Sequence, residues 1–149
     1  MEKNRNFDRV RYIQLLKKQN LNKIERLELS SHQIILENQI LYNHKNDYLC
    51  LIEEYLKNKI TSTSLVFQFF QKQRKDQQII DNLTNNLDQV EMLFINSNYS
   101  KLDAFSDLIE NLIYCCDTLD DEPLTELRES EFRTYIENIF LQMKKILAK

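Results

Sequence analysis

The chain has no glycine and a single proline, Pro123, in its 149 residues. Tight β turns draw on glycine for positive φ, so this composition argues against an all-β fold. Glycine-rich phosphate loops and dinucleotide fingerprints are excluded outright, because there is no glycine to build them. Alanine is almost as scarce, at Ala104 and Ala148 alone, while Asn, Lys and Ile are abundant. That bias is the residue usage of an AT-rich genome, bacterial or plastid, and concerns codons rather than function. The three cysteines, Cys50, Cys115 and Cys116, are too few and too close-set for a disulfide framework. Each falls on or beside an apolar face, so they read as reduced, small core residues. Long apolar runs are also missing: nothing approaches the roughly 20 residues needed to span a bilayer. Met1 to Val10 is charged with no apolar run after it, so no signal segment is expected. The expectation is a soluble protein of the cytoplasm, or of the plastid stroma if organelle-encoded.

What the chain does carry is charge, unevenly placed. Residues 1–30 hold eight basic and four acidic side chains, a net of +4, whereas residues 77–143 hold three basic and fourteen acidic, a net of −11. Such asymmetry suggests two surfaces facing different partners. Phosphates would be repelled by the acidic half, which argues against direct nucleic-acid binding there.

Apolar spacing predicts helices nearly throughout. Residues 6–19 read as a short basic helix with Phe7, Val10, Ile13 and Leu16 on one face, too narrow a face for a membrane surface. Ser30 with Gln33, and Leu29 stapled to Ile34, predict a helix start, with the helix running from Ser31 to about Tyr42. Ile34-Ile35-Leu36 also permits a short strand. After a polar break at 43–46, Tyr48, Leu51, Ile52, Tyr55 and Leu56 mark one face of a helix from Asp47 to about Lys59. Thr61-Ser62-Thr63 reads as a turn and N-cap. Residues 63–95 are one long helix or two meeting near Asp76, and the polar run Gln71 to Gln78 reads as a solvated face.

The last third is a helical hairpin. Leu102, Phe105, Leu108, Ile109, Leu112, Ile113, Cys116 and Leu119 mark one arm, with Ser100 and Asp103 as an acidic capping box. Phe132, Tyr135, Ile136, Ile139, Phe140, Met143, Ile146 and Leu147 mark the other, and Lys144, Lys145 and Lys149 complement its C-terminal dipole. Between them, Asp117 to Pro123 predicts an acidic turn. The fold class expected is all-α: an antiparallel four-helix bundle over 47–149 with a basic helical N-terminal extension over 1–46.

Candidate chemistry is sparse. His32 and His44 lie twelve apart, and His44 falls in a polar break, so a histidine metal site is unsupported. The acids from Asp117 to Glu131 lack the alternating oxygen ligands and glycine turn of a calcium loop. Paired carboxylates do acid–base work only in a pocket that shifts their pKa values, and the sequence predicts none. No metal, cofactor or catalytic residue is expected. Those acids read as a solvated turn or as a negative surface that docks a basic partner.

From Tyr48 to Thr61 the sequence YLCLIEEYLKNKIT resembles the opening helix and turn of the bacterial colicin-D-type immunity family. Phe67 and Phe70 suit its second helix. Phe105-x-x-Leu108, Tyr114-Cys115-Cys116-Asp117 and Leu127 with Glu131-Phe132-Arg133 and Ile136 suit its last two, over about residues 48–147. Members are small helical bundles that neutralise a tRNA-cleaving toxin by presenting acidic groups to its basic active site. The resemblance implies a non-enzymatic protein with Asp117, Asp120, Asp121, Glu122 and Glu126 as its docking surface and a basic toxin domain as partner. Residues 1–47 lie outside the resemblance. Their basic, amphipathic character suits a second reading, an accessory or linker subunit held in a larger assembly by its N-terminal arm, for example a plastid or cyanobacterial photosynthetic complex.

Overall fold

A computed structural model describes residues 7–83, 86–121 and 126–148, with side chains described except at 119–121, 126 and 127. Among the described residues seven helices follow in order: α1 (Arg9–Lys17), α2 (Lys23–Asn43), α3 (Lys45–Leu56), α4 (Ser62–Leu83), α5 (Leu87–Met92), α6 (Tyr99–Asp121) and α7 (Glu126–Leu147). No strand occurs among the described residues, Ile34-Ile35-Leu36 included, so the chain is all-α.

Two apolar clusters hold the helices together. The larger draws on α3 (Tyr48, Ile52, Tyr55), α4 (Leu65, Val66, Phe69), α6 (Phe105, Leu108, Ile109, Leu112, Cys116) and α7 (Phe132, Ile136, Ile139, Met143). These residues sit three and four apart on each helix, as a single buried stripe requires. The smaller cluster joins Tyr12 of α1, Leu36 and Ile40 of α2, Leu83 of α4 and Val90 of α5. Helix α2 packs along α6, where Asn38 Nδ2 donates to Asp103 Oδ1 at 2.8 Å and the Asn96 amide donates to Gln39 Oε1 at 2.7 Å. Helix α1 is tied to the α5 end: Arg9 Nε donates to the Val90 carbonyl at 3.0 Å, and the Phe7 amide to the Tyr99 hydroxyl at 3.0 Å.

Several helix limits differ from those the sequence predicts. Helix α2 begins eight residues before Ser31, capped by Asn22, whose Oδ1 accepts from the Glu25 amide at 2.8 Å while Glu25 Oε1 accepts from the Asn22 amide at 3.1 Å. That reciprocal pair is a capping box, and it outcompetes Ser30, which lies inside the helix. Helix α6 is capped by Asn98, whose Oδ1 accepts from the Lys101 amide at 3.1 Å, rather than by Ser100. The polar break at 43–46 contracts to His44 between α2 and α3. The 63–95 stretch is two helices, but they part after Leu83, not near Asp76. Helix α1 buries Tyr12 and Leu15 and leaves Val10 67% exposed, so its inner face is rotated from the one its apolar spacing suggests. Thr61 does cap α4, accepting from the Ser64 amide at 3.1 Å.

Without glycine, the chain still needs a left-handed residue to end α3. Asn58 takes that role at φ 60°. Its amide donates to the Tyr55 carbonyl at 3.0 Å and the Lys59 amide to the Glu54 carbonyl at 2.8 Å, the paired bonds of a Schellman cap. Asparagine tolerates this conformation better than other residues with a Cβ. The turn is fastened to α7: Arg133 Nη1 donates to Asn58 Oδ1 at 3.0 Å, and Nη2 donates to the Leu56 carbonyl.

Candidate functional site

The face opposite the buried stripe of α6 carries Asp107, Glu110, Tyr114 and Asp117, all exposed. Their spacing of three and four sets them along one side of the helix. On α7, the strict 4-3-4 step of Phe132, Ile136, Ile139 and Met143 fills the core, which turns Glu131 and Tyr135 outward. Tyr135 therefore does not belong to the inner face on which its apolar spacing placed it; it is 61% exposed, and Tyr114 is 74% exposed.

The two tyrosines line one groove between α6 and α7, of about 250 Å³, with Cys115, Thr118, Arg128 and Glu131 around it and Phe132 at its base. Arg128 Nη2 donates to the Thr118 carbonyl at 3.3 Å, bridging the helices beside the groove. Thr118 Oγ1 donates back to the Tyr114 carbonyl at 2.9 Å, which fixes the last turns of α6. Burial pushes the Cys115 thiol above its ordinary range, so it stays protonated at neutral pH and is a poor nucleophile. Cys116 is wholly buried in the larger cluster, whereas Cys50 is exposed.

The acids expected to form the docking surface fall as follows. Asp117 is exposed on α6, one turn beyond Tyr114. The α6 backbone extends through Asp120 and Asp121, so the acidic turn expected from Asp117 to Pro123 is helical over its first five residues. Glu126 opens α7. The side chains of Asp120, Asp121 and Glu126, and the whole of Glu122, lie outside the described residues. Of the neighbouring acids, Glu129 turns inward: it accepts from Ser62 Oγ at 2.7 Å and from the Tyr55 hydroxyl at 3.1 Å, while Arg133 lies over the Tyr55 ring at 5.3 Å. Burial, then the Glu129 hydrogen bond, raises the Tyr55 phenol well above its ordinary range. Glu129 thus locks the start of α4 to α7.

A second polar cluster was not legible as such. Asp76 lies in the run read as a solvated face, yet only 1% of it is exposed. His44 Nδ1 is 2.6 Å from its Oδ1, donating in the Nδ1–H tautomer, and Lys72 Nζ is 2.9 Å from the same oxygen. The Tyr48 hydroxyl donates to Oδ2. Lys72 also reaches Asp47 Oδ2 at 3.2 Å. Burial first, and then the Asp76 carboxylate, raises the Tyr48 phenol far above its ordinary range, so it remains a donor. With three donors on one buried carboxylate, the cluster pins the α2–α3 turn to the middle of α4; a His–Asp pair does base catalysis only beside a substrate proton. Among the described residues, no three His, Cys, Asp or Glu side chains gather as a metal set.

No family model, curated protein or solved structure matches this chain. The site is accordingly read from its own chemistry. Two exposed tyrosines over a groove lined also by Glu131 and Arg128 combine apolar bodies with polar tips, and tyrosine is among the side chains that dominate protein interfaces. The signal available in the sequence was the phase of α7: Tyr135 stands one residue before Ile136, off the centre of the stripe.

Proposed function

We propose that the chain is a non-enzymatic protein-binding domain that docks a basic partner through the acidic α6–α7 face, as a toxin-neutralising immunity protein does. The observation that carries this reading is the exposure of Tyr114 and Tyr135 over one groove that Glu131 also lines. The tyrosines supply contact area that is desolvated on binding, where most binding energy concentrates. The carboxylates supply long-range attraction, which raises association rate and excludes acidic competitors. In this reading Asp117, Asp120, Asp121, Glu122 and Glu126 are the acids that meet the basic partner. In this reading α3, α4, α6 and α7 form an antiparallel four-helix bundle, α1 and α2 are its helical extension, and the cytoplasm is its compartment.

A second reading, an accessory subunit in a larger assembly, draws on a different surface. Ile24 and Leu27, one turn apart on α2, are 73% and 61% exposed on the basic half of the chain. An assembly contact there would cover them. Affinity capture with the full chain from its native host, followed by identification of the bound proteins, separates the two. A single basic nuclease-type partner supports the docking reading. Co-purification with a large stable complex, the plastid case included, contradicts it.

A further inference from the structure

The groove between α6 and α7, at about 250 Å³, is smaller than a whole-ligand site. Such sites occupy roughly 300–1,000 Å³, so this one suits a single large side chain of a partner. Four residues separate the two helices, and Arg128 bonds back to the Thr118 carbonyl, so α7 returns along α6. One turn back from Thr118 stands Tyr114. One to two turns on from Arg128 stand Glu131 and Tyr135. The two phenol rings and the Glu131 carboxylate therefore share one end of the groove, over Phe132.

That end is built to attract a cation. Aromatic faces carry negative potential, and Glu131 adds a formal charge. Glu131 is exposed and held by no ion pair among the described residues. Asp107, Glu110 and Asp117, exposed along the outer side of α6, add attraction at longer range. Arg128 also lines the groove, but its Nη2 is engaged by the Thr118 carbonyl, one turn from the tyrosine end.

We propose that the groove takes an arginine side chain of the basic partner, its guanidinium stacked on Tyr114 and Tyr135 and bonded to Glu131, an assignment that rests on the docking reading of the α6–α7 face. An anion is repelled by the surrounding carboxylates. A neutral side chain covers Glu131 without compensating it, which is costly. Lysine supplies charge, but its ammonium is compact, strongly hydrated and without a planar face. A guanidinium serves both halves: its plane lies on the rings, and its fork donates two parallel bonds to the carboxylate.

The test is calorimetric titration of the full chain with hexaarginine, hexalysine and hexacitrulline, the last being arginine's shape without its charge. Hexaarginine is expected to bind more tightly than hexalysine by about tenfold or more, and hexacitrulline not at all. Tyr114→Leu/Tyr135→Leu is expected to reduce hexaarginine to the hexalysine level and to leave hexalysine unchanged. Tyr114→Phe/Tyr135→Phe keeps the preference, because the rings remain, and Glu131→Gln weakens hexaarginine severalfold. Equal affinity for the two basic peptides overturns the arginine assignment while leaving the acidic docking face standing. A preference for hexaarginine that survives Tyr114→Leu/Tyr135→Leu overturns it too. Absence of binding by either basic peptide overturns both the assignment and the docking reading.

Discussion

Asp76 shows how much a single side chain determines in this chain. Its carboxylate is enclosed and receives hydrogen bonds from His44 of the α2–α3 turn, Tyr48 of α3 and Lys72 of α4. Removing one member of such a buried, charged cluster leaves the others uncompensated, at a cost of about 3–5 kcal/mol. Asp76→Ala is expected to lower the folding free energy by that amount in urea denaturation; a loss below about 1 kcal/mol would mean the cluster is dispensable. The sequence could not reveal this, because Asp76 sits among exposed Gln, Lys and Arg residues and two of its partners lie 28 and 32 positions away. Glu37 makes the opposite case. Its carboxyl is raised by burial and by Asp81, so folding favours its neutral form. The resulting penalty is absent below the ordinary glutamate value of about 4.3 and complete once pH exceeds the raised value. Glu37→Gln is therefore expected to raise the melting temperature at pH 7 and leave it unchanged near pH 4. Glu28 acts with the other sign: the Arg11 hydrogen bonds, at 2.8 Å each, hold its carboxyl below the ordinary range. Its contribution is present above that range and lost as pH falls through the lowered value.

At the scale of elements, apolar spacing identified which helices exist more surely than where they begin. The faces of α3, α4, α6 and α7 were legible because each contributes a buried stripe to one shared cluster, and that requirement fixes the period. Starts were harder, since Asn22 and Ser30 both stand three residues before a glutamate or glutamine. Contacts from α1 and the residue that follows it decide between them: Lys18 Nζ lies 2.5 Å from Glu25 and Arg11 2.8 Å from Glu28, holding the first turns of α2 in helical form. Replacing Asn22 by alanine is expected to cost about 1 kcal/mol in equilibrium unfolding, while Ser30→Ala is expected to change stability by less than about 0.5 kcal/mol. An equal loss for both would return the helix start to Ser30. The α6–α7 hairpin was legible in its core positions and not in its outer ones, because an exposed tyrosine and a buried one look alike until the phase of the whole helix is fixed.

For the molecule as a whole, the arrangement of the two clusters sets what can be removed. Helices α3, α4, α6 and α7 share the larger cluster, and Tyr12, Leu36 and Ile40 complete the smaller one from the N-terminal side. A chain lacking residues 1–45 is expected to keep one cooperative thermal transition at a clearly lower midpoint, since Leu83, Val90 and part of α6 lose their cover. A broad, non-cooperative transition would place α2 inside the essential core. Charge asymmetry, visible in the sequence, is why the acidic half is the proposed docking side; the exposure of Tyr114 and Tyr135 came only from the folded arrangement. The central claim is that Tyr114 and Tyr135 fasten a basic protein to the acidic α6–α7 face. The most direct measurement is the affinity of the captured partner for the natural chain and for the Tyr114→Ala/Tyr135→Ala variant across a salt series. The account predicts that the variant binds more weakly by about 2 kcal/mol or more, roughly thirtyfold, and that affinity for the natural chain falls steadily with added salt. Unchanged affinity in the variant, with no dependence on salt, would contradict it.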